Sequence, residues 1–549
     1  MKLFAHQSPN KSPGAAAFAR LCRAIAHRRA RPVAAGLFAL ALIGGMAGAH
    51  ADQATPAQAV AILNRIGFGP SPADVQHVEK IGVDAYIDEQ LQPERLALPQ
   101  ALSQDLSSLD MLRLTPAQLI EEFRAAQRKA KQAAAPGDQT HDASTAAIQP
   151  RRLFVRRLSE QAARARFEQA VDSPRQLDEV MVDFWFNHFN VYAGKGLDRV
   201  LVAAYERDAI RPYALGHFRE LLGATAHHAA MLFYLDNWLS SAPGYLPPHP
   251  RPGKAQATGL NENYARELME LHTLGVDGGY TQHDVTELAR IFTGWTINPR
   301  RGEAGSAFYF DARRHDEGDK EWLGYHVASR GQAEGEWALD ILAMHPATAH
   351  HIAYELAQYF VDDAPPPALV DQLAKRYLAT DGDIREVLRT LFHSAAFRQS
   401  LQAPRKFKTP YQYVVSALRA TGTSDIGNVR PLLASLNQMG MPLYGCQTPD
   451  GYKNVESAWL NADALDKRVA FATALASGRL RLRARAVDDE PGMSAVSPGP
   501  RTTDPPADPQ ALEQLLGENM SSHTRQVVDQ APPALRAAMI LGGPDFMRR

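Results

Sequence analysis

Residues 261–295 read NENYARELMELHTLGVDGGYTQHDVTELARIFTGW. Asn261 is placed to cap a first helix, along which Tyr264, Leu268 and Leu271 recur on one face. A glycine-rich turn separates it from a second helix that runs to Thr293-Gly294-Trp295. The stretch has helical periodicity and no strand alternation, and strand signals are few along the chain. It predicts a mostly α chain: a large helical domain with a small β-ribbon insertion and disordered linkers.

The same stretch collects polar groups. Arg266 and Glu270 have the spacing of a helix ion pair. Glu267 and His272 lie about 140° apart around an ideal helix, so they cannot share a ligand. Two readings stay open. One is an Arg–Glu network that buttresses helix packing, with His272 hydrogen-bonded. The other is Glu267 or Glu270 as an acid/base group beside Arg266 as an anion clamp, with Asn263 and Trp295 contacting a substrate.

Beyond Trp295 the helical pattern lapses. Phe308-Tyr309-Phe310 and Trp322-Leu323-Gly324-Tyr325 flank a polar run and predict a two-stranded ribbon. The run carries Arg313-Arg314-His315-Asp316 and Lys320 on an expected loop. A His-Asp pair there suits proton transfer or a metal, and a solvated charge run reads equally well. Upstream, Ser173 is expected to cap a helix as part of a box with Gln176. Leu177, Met181, Phe184 and His188 follow on a single face. His188 is a third weak metal candidate beside His315 and Asp316, although a histidine on an apolar face is more often a core residue. A helix is also expected over about 199–222. Ser71 and Asp383 each have the position of a helix cap.

The chain has 549 residues. Residues 1–51 carry seven Lys+Arg and no acid, then an apolar run from Val33 to Gly48 and the small-x-small end Ala49-His50-Ala51. They read as a secretory signal cut before Asp52, with an uncleaved anchor as the alternative. Arg28-Arg29 only weakly suggests a twin-arginine route. The remaining 498 residues hold 52 Lys+Arg against 60 Asp+Glu, about −8. That bulk count disfavours a binder of nucleic acid or anionic membrane. Cys446 is the one cysteine past residue 51, so no disulfide forms within the exported chain. The expected organisation is a signal at 1–51 and an N-terminal helical segment at 52–125. A flexible linker at 126–150 leads to a main helical domain at 151–479. A disordered segment follows at 480–510, and helices at 511–549 pack back on the main domain.

The usual nucleophile, zinc, phosphate-loop and dinucleotide signatures are absent from the sequence. A family resemblance is nevertheless specific. Leu63 to Pro70, Phe184 to Phe189, Tyr234 to Asn237, Asn261 to Leu268, Thr293-Gly294-Trp295, His315-Asp316, His345 to Thr348 and Pro544-Asp545-Phe546 together resemble the exported bacterial proteins called domain of unknown function 1800. The resemblance implies no activity and no cofactor. It implies a neighbour: a second exported family, domain of unknown function 1501, itself similar to sulfatases. Glu355 departs from the family pattern, where a basic residue is expected, and Ala229 stands for an expected proline. Two functions are therefore expected. One is a hydrolase of envelope or extracellular polymers, with Glu267, His315 and Asp316 as catalytic groups. The other is a non-catalytic periplasmic partner of a sulfatase-like protein.

Overall fold

In a computed structural model, residues 53–133, 141–247, 259–303, 305–403, 406–483 and 504–549 are described. The expected signal at 1–51 and most of the 480–510 segment lie outside them. Two helices form the centre. Eleven of the 13 residues of Gln176–His188 are buried, and all 11 of Pro410–Ala420. A helix buried all round belongs inside a core, so the single apolar face expected for Leu177 to His188 is corrected. Phe68 meets Tyr411 edge-on at 5.5 Å, joining the first helical turn region to this centre.

Helices dominate the described residues, and the only sheets among them are two antiparallel ribbons. Strand β1 (Trp295–Ile297) pairs with β2 (Phe308–Phe310). Strand β3 (Lys320–Trp322) pairs with β4 (Tyr325–Val327). Phe308–Phe310 and Trp322–Tyr325 thus do not pair with each other as expected. Leu323 and Gly324 both have positive φ, 48° and 77°, and close β3 onto β4 in a two-residue turn.

The helix caps divide. Ser71 accepts from the Asp74 amide at 3.2 Å and Asp383 from Glu386 at 3.1 Å, as their positions predict. The box at Ser173 does not form. The Gln176 side chain turns inward, its Oε1 accepting from the Phe68 amide at 3.2 Å, because that buried amide needs a partner. The helix expected over 199–222 breaks into Asp198–Tyr205, irregular turns at 206–213, and Phe218–His227. Pro212, which has no N–H, sits at the break. Helices Pro116–Ala133 and His141–Asp172 extend into the 126–150 span from both sides. Three helices, 509–516, 522–530 and 533–541, end the chain, and the last packs on Ala462–Ala476. Among the described residues no helix is long and apolar enough to cross a membrane.

Candidate functional site

The first helix of this stretch, Asn263–Glu270, starts one residue later than a cap at Asn261 predicts. The Asn261 side chain accepts from the Asn263 amide at 3.0 Å instead of capping the helix proper. Arg266 pairs with Glu262 at 3.2 Å and reaches Gln282 at 2.9 Å, so the Arg266–Glu270 pair is corrected to one turn earlier. Asn263 is exposed and donates to the Leu235 carbonyl at 3.3 Å. Trp295 cannot contact a substrate. It is wholly buried, stacked on His227 at 4.7 Å and wedged edge-on between Phe292 and Phe308.

His315 and Asp316 belong to a different place and a different task. Thr293, at the end of the 282–291 helix, holds both: its carbonyl faces His315 Nδ1 at 2.9 Å, and its hydroxyl accepts from the Asp316 amide at 2.8 Å. His315 Nε2 is 3.1 Å from Glu334, and Lys320 Nζ is 2.6 Å from the other oxygen of that carboxylate. Burial would raise the Glu334 carboxyl, but hydrogen bonds from His315 and Lys320 outweigh it and hold it below its ordinary value. Asp316 takes a two-pronged contact from Arg290, at 2.8 and 3.1 Å. Burial again opposes, and Arg290 again prevails, so Asp316 is held ionised. Among the described residues, neither His315 nor Asp316 bonds to Glu267, Arg266 or His188.

His188 sits where three elements meet. Its Nδ1 is 2.6 Å from Glu355 on the Pro346–Phe360 helix, and its Nε2 is 3.2 Å from the His272 carbonyl. The His272 and His351 rings lie 6.0 and 6.2 Å from it, centre to centre. His272 is fully buried. Burial, then the neighbouring His188 and His351, push its pKa well below the ordinary range, so it is neutral. Its Nε2 has no hydrogen-bond partner. Glu355 is 30% exposed and held low against burial by His188, with help from His351 and Lys453. Glu355 is thus the side-chain hydrogen-bond partner of His188. Among the described residues no group of three or more His, Cys, Asp or Glu side chains is arranged to hold a metal ion.

A turn-rich loop at 446–453 closes over this junction. Asn187 clamps it from both sides, donating to the Tyr452 carbonyl at 2.9 Å and accepting from the Tyr452 amide at 2.7 Å. Asn190 donates to the carbonyls of Cys446 and Thr448. Gly451 lies so close to Asn187 that a Cβ would fall 2.3 Å from its carbonyl oxygen. The loop brings in Asp450, paired with Lys453 at 2.6 Å. Glu267 is half-buried, and its carboxyl is raised by burial, then by Glu270, with Asp450 adding to the rise against Arg266. Asp450 is shifted the other way: hydrogen bonds from Lys453 and Thr448 outweigh burial. The partners Glu334, Asp450 and Lys453 carried no sequence signal, since their spacing to His315 and Glu267 is set only by the fold.

Deeper still, Arg166 is buried between Asp183 and Glu206 and faces the rings of Phe186, Tyr411 and Tyr444 at 5.0–5.2 Å. A cavity of about 30 Å³ beside it is lined by Asn187, Asn190 and Tyr452 among others, room for one water.

The family described as "Protein of unknown function (DUF1800)" matches residues 61–548. The chain belongs to this family. No curated protein and no solved structure matches it. Asn187-His188 and Thr293-Gly294-Trp295 with His315-Asp316, all within the matched span, organise two separate junctions of the fold.

Proposed function

We propose that this DUF1800 chain is an exported, non-catalytic binding or assembly protein, working in the periplasm or outside the cell beside a sulfatase-like protein of the domain of unknown function 1501 family. The observation that carries the reading is where His315 and Asp316 direct their hydrogen bonds. Each is engaged by Thr293, Glu334 or Arg290 within the fold, and neither joins Glu267 or Arg266. Groups so paired hold structure and are not free to take or give a substrate proton. The basic-apolar-small pattern of residues 1–51 supports the export part.

The test is co-expression of the two exported proteins with their signals. The expected result is a mature chain beginning at Asp52 that co-elutes with its partner in fixed ratio. Separate elution, or a stoichiometric metal in the purified chain, overturns the reading.

One observation favours the hydrolase instead. Glu267 and Asp450 interact, and their environments push the two carboxyls in opposite directions, the pattern of an acid and a base. That reading requires polymer hydrolysis by the purified chain, abolished in Glu267→Gln with the melting temperature unchanged.

A further inference from the structure

Helices Val83–Gln90 and Ala395–Gln402 both pack on the helix Pro56–Ile66. A groove of about 740 Å³ lies between them. Its floor is Ala57 and Ala61, one helical turn apart and so on one face. Ile81, Val83 and Ile87 line one wall, and Phe392, Phe397 and Leu401 the other. Protein interiors hold few voids larger than a water. This one persists because alanine, at both floor positions, is too short to reach up between the walls. Sites that take small molecules measure roughly 300–1,000 Å³ and are mostly apolar with a few polar groups, and the groove has both properties.

Every polar side chain that lines the groove is exposed, whereas the eight apolar ones named above are buried or half-buried. The inside is therefore apolar and the rim polar. Only two of the lining side chains carry charge, Asp84 and Arg398, one on each wall. They meet across the rim at 3.3 Å, 64% and 57% exposed. A pair so open to water contributes little, so each charge can change partners at small cost. Asp84 has a second neighbour on the far wall, His393 at 3.7 Å.

We propose that this groove holds the hydrocarbon chain of a zwitterionic lipid, with Arg398 on the phosphate of its head and Asp84 on the cationic group. Charge complementarity selects this occupant. An anionic amphiphile that met Arg398 would set its charge against Asp84, and a cationic one would face the reverse conflict. A head carrying both signs satisfies both walls, in place of the weak pair they make with each other.

Calorimetric titration of the full chain with alkylphosphocholines, kept below their micelle concentrations, tests this. The expected result is one site per chain. Each buried methylene contributes about fourfold, so dodecylphosphocholine should bind about 15-fold more tightly than decylphosphocholine. Two exposed charge contacts should favour decylphosphocholine over decyl glucoside by about tenfold. Ala61→Phe fills the floor and should abolish binding of both. Asp84→Ala with Arg398→Ala should lose the preference between heads and keep the dependence on chain length. The melting temperature of this double variant should match the parent, because both side chains are exposed. Affinity that ignores chain length, equal binding of the two heads by the parent, or undiminished binding by Ala61→Phe overturns the proposal. So does dimerisation that Ala61→Phe abolishes while no amphiphile binds, which would give the groove to a second copy of the chain.

Discussion

Lys320 Nζ lies 2.6 Å from Glu334 Oε2, and neither side chain is open to water. The same carboxylate carries His315 on its other oxygen and accepts the amides of Arg330 and Gly331. Removing one charge of a buried pair strands the other. Lys320→Met should therefore destabilise the protein by about 3–5 kcal/mol, while Lys320→Met with Glu334→Leu should recover part of that loss. Urea unfolding of the two variants decides. A single variant within 0.5 kcal/mol of the parent contradicts the structural role given to the His315 junction, on the usual scale for surface changes.

Acid should act against this fold through its buried histidines. His228 is buried, and burial takes its ring down to about 4, with His272 lowered in the same direction. Both are neutral in the fold and take a proton in the unfolded chain at about 6.5. The stability they leave in place above that value is lost as pH falls below it. His228 alone accounts for about 3 kcal/mol by pH 4. Urea midpoints measured from pH 7.5 to 4.5 should fall more steeply with acid in the parent than in His228→Gln. An unchanged slope refutes the assignment.

Asp178 should act with the opposite sign. Burial, then the adjacent Glu179, raise its carboxyl to about 7. A raised acid stabilises the fold below its unfolded value near 3.8, and that gain is lost as pH rises through 7. Asp178→Asn should therefore help more at pH 8 than at pH 5, by roughly 2 kcal/mol. Melting curves at the two pH values check this, and equal gains at both count against it.

Gly294 holds the turn between the 282–291 helix and β1. Its φ is +84°, and a Cβ there would stand 2.8 Å from the Asp311 carbonyl oxygen. Gly294→Ala combines backbone strain with a clash against backbone, so a loss of about 2 kcal/mol or more is expected. Denaturant titration measures it; a neutral substitution means the turn relaxes freely.

Local chemistry was legible in the sequence and tertiary partnership was not. Ser71 and Asp383 cap their helices because a cap is decided within four residues. The Gln176 box failed because a distant amide, that of Phe68, competed for the side chain. His315 and Asp316 read as a loop on the surface because their polarity outweighs their neighbours'. Their burial follows from Glu334, Lys320 and Arg290, which sequence spacing could not place against them. His188 was readable as a core residue, but not its bond to Glu355, 167 positions away.

Arg65 is buried in the helix Pro56–Ile66. It donates to the carbonyls of Phe360 and Val361, to both oxygens of Ser400, and to the carbonyl of Arg549, 484 positions downstream. A ribosome adds about 5–20 residues per second, so roughly 25 to 100 s separate the synthesis of Arg65 from that of its last partner. Until then the guanidinium lacks one of its five acceptors. The helix Pro56–Ile66 therefore cannot reach its final packing until residues as much as 484 positions downstream have arrived.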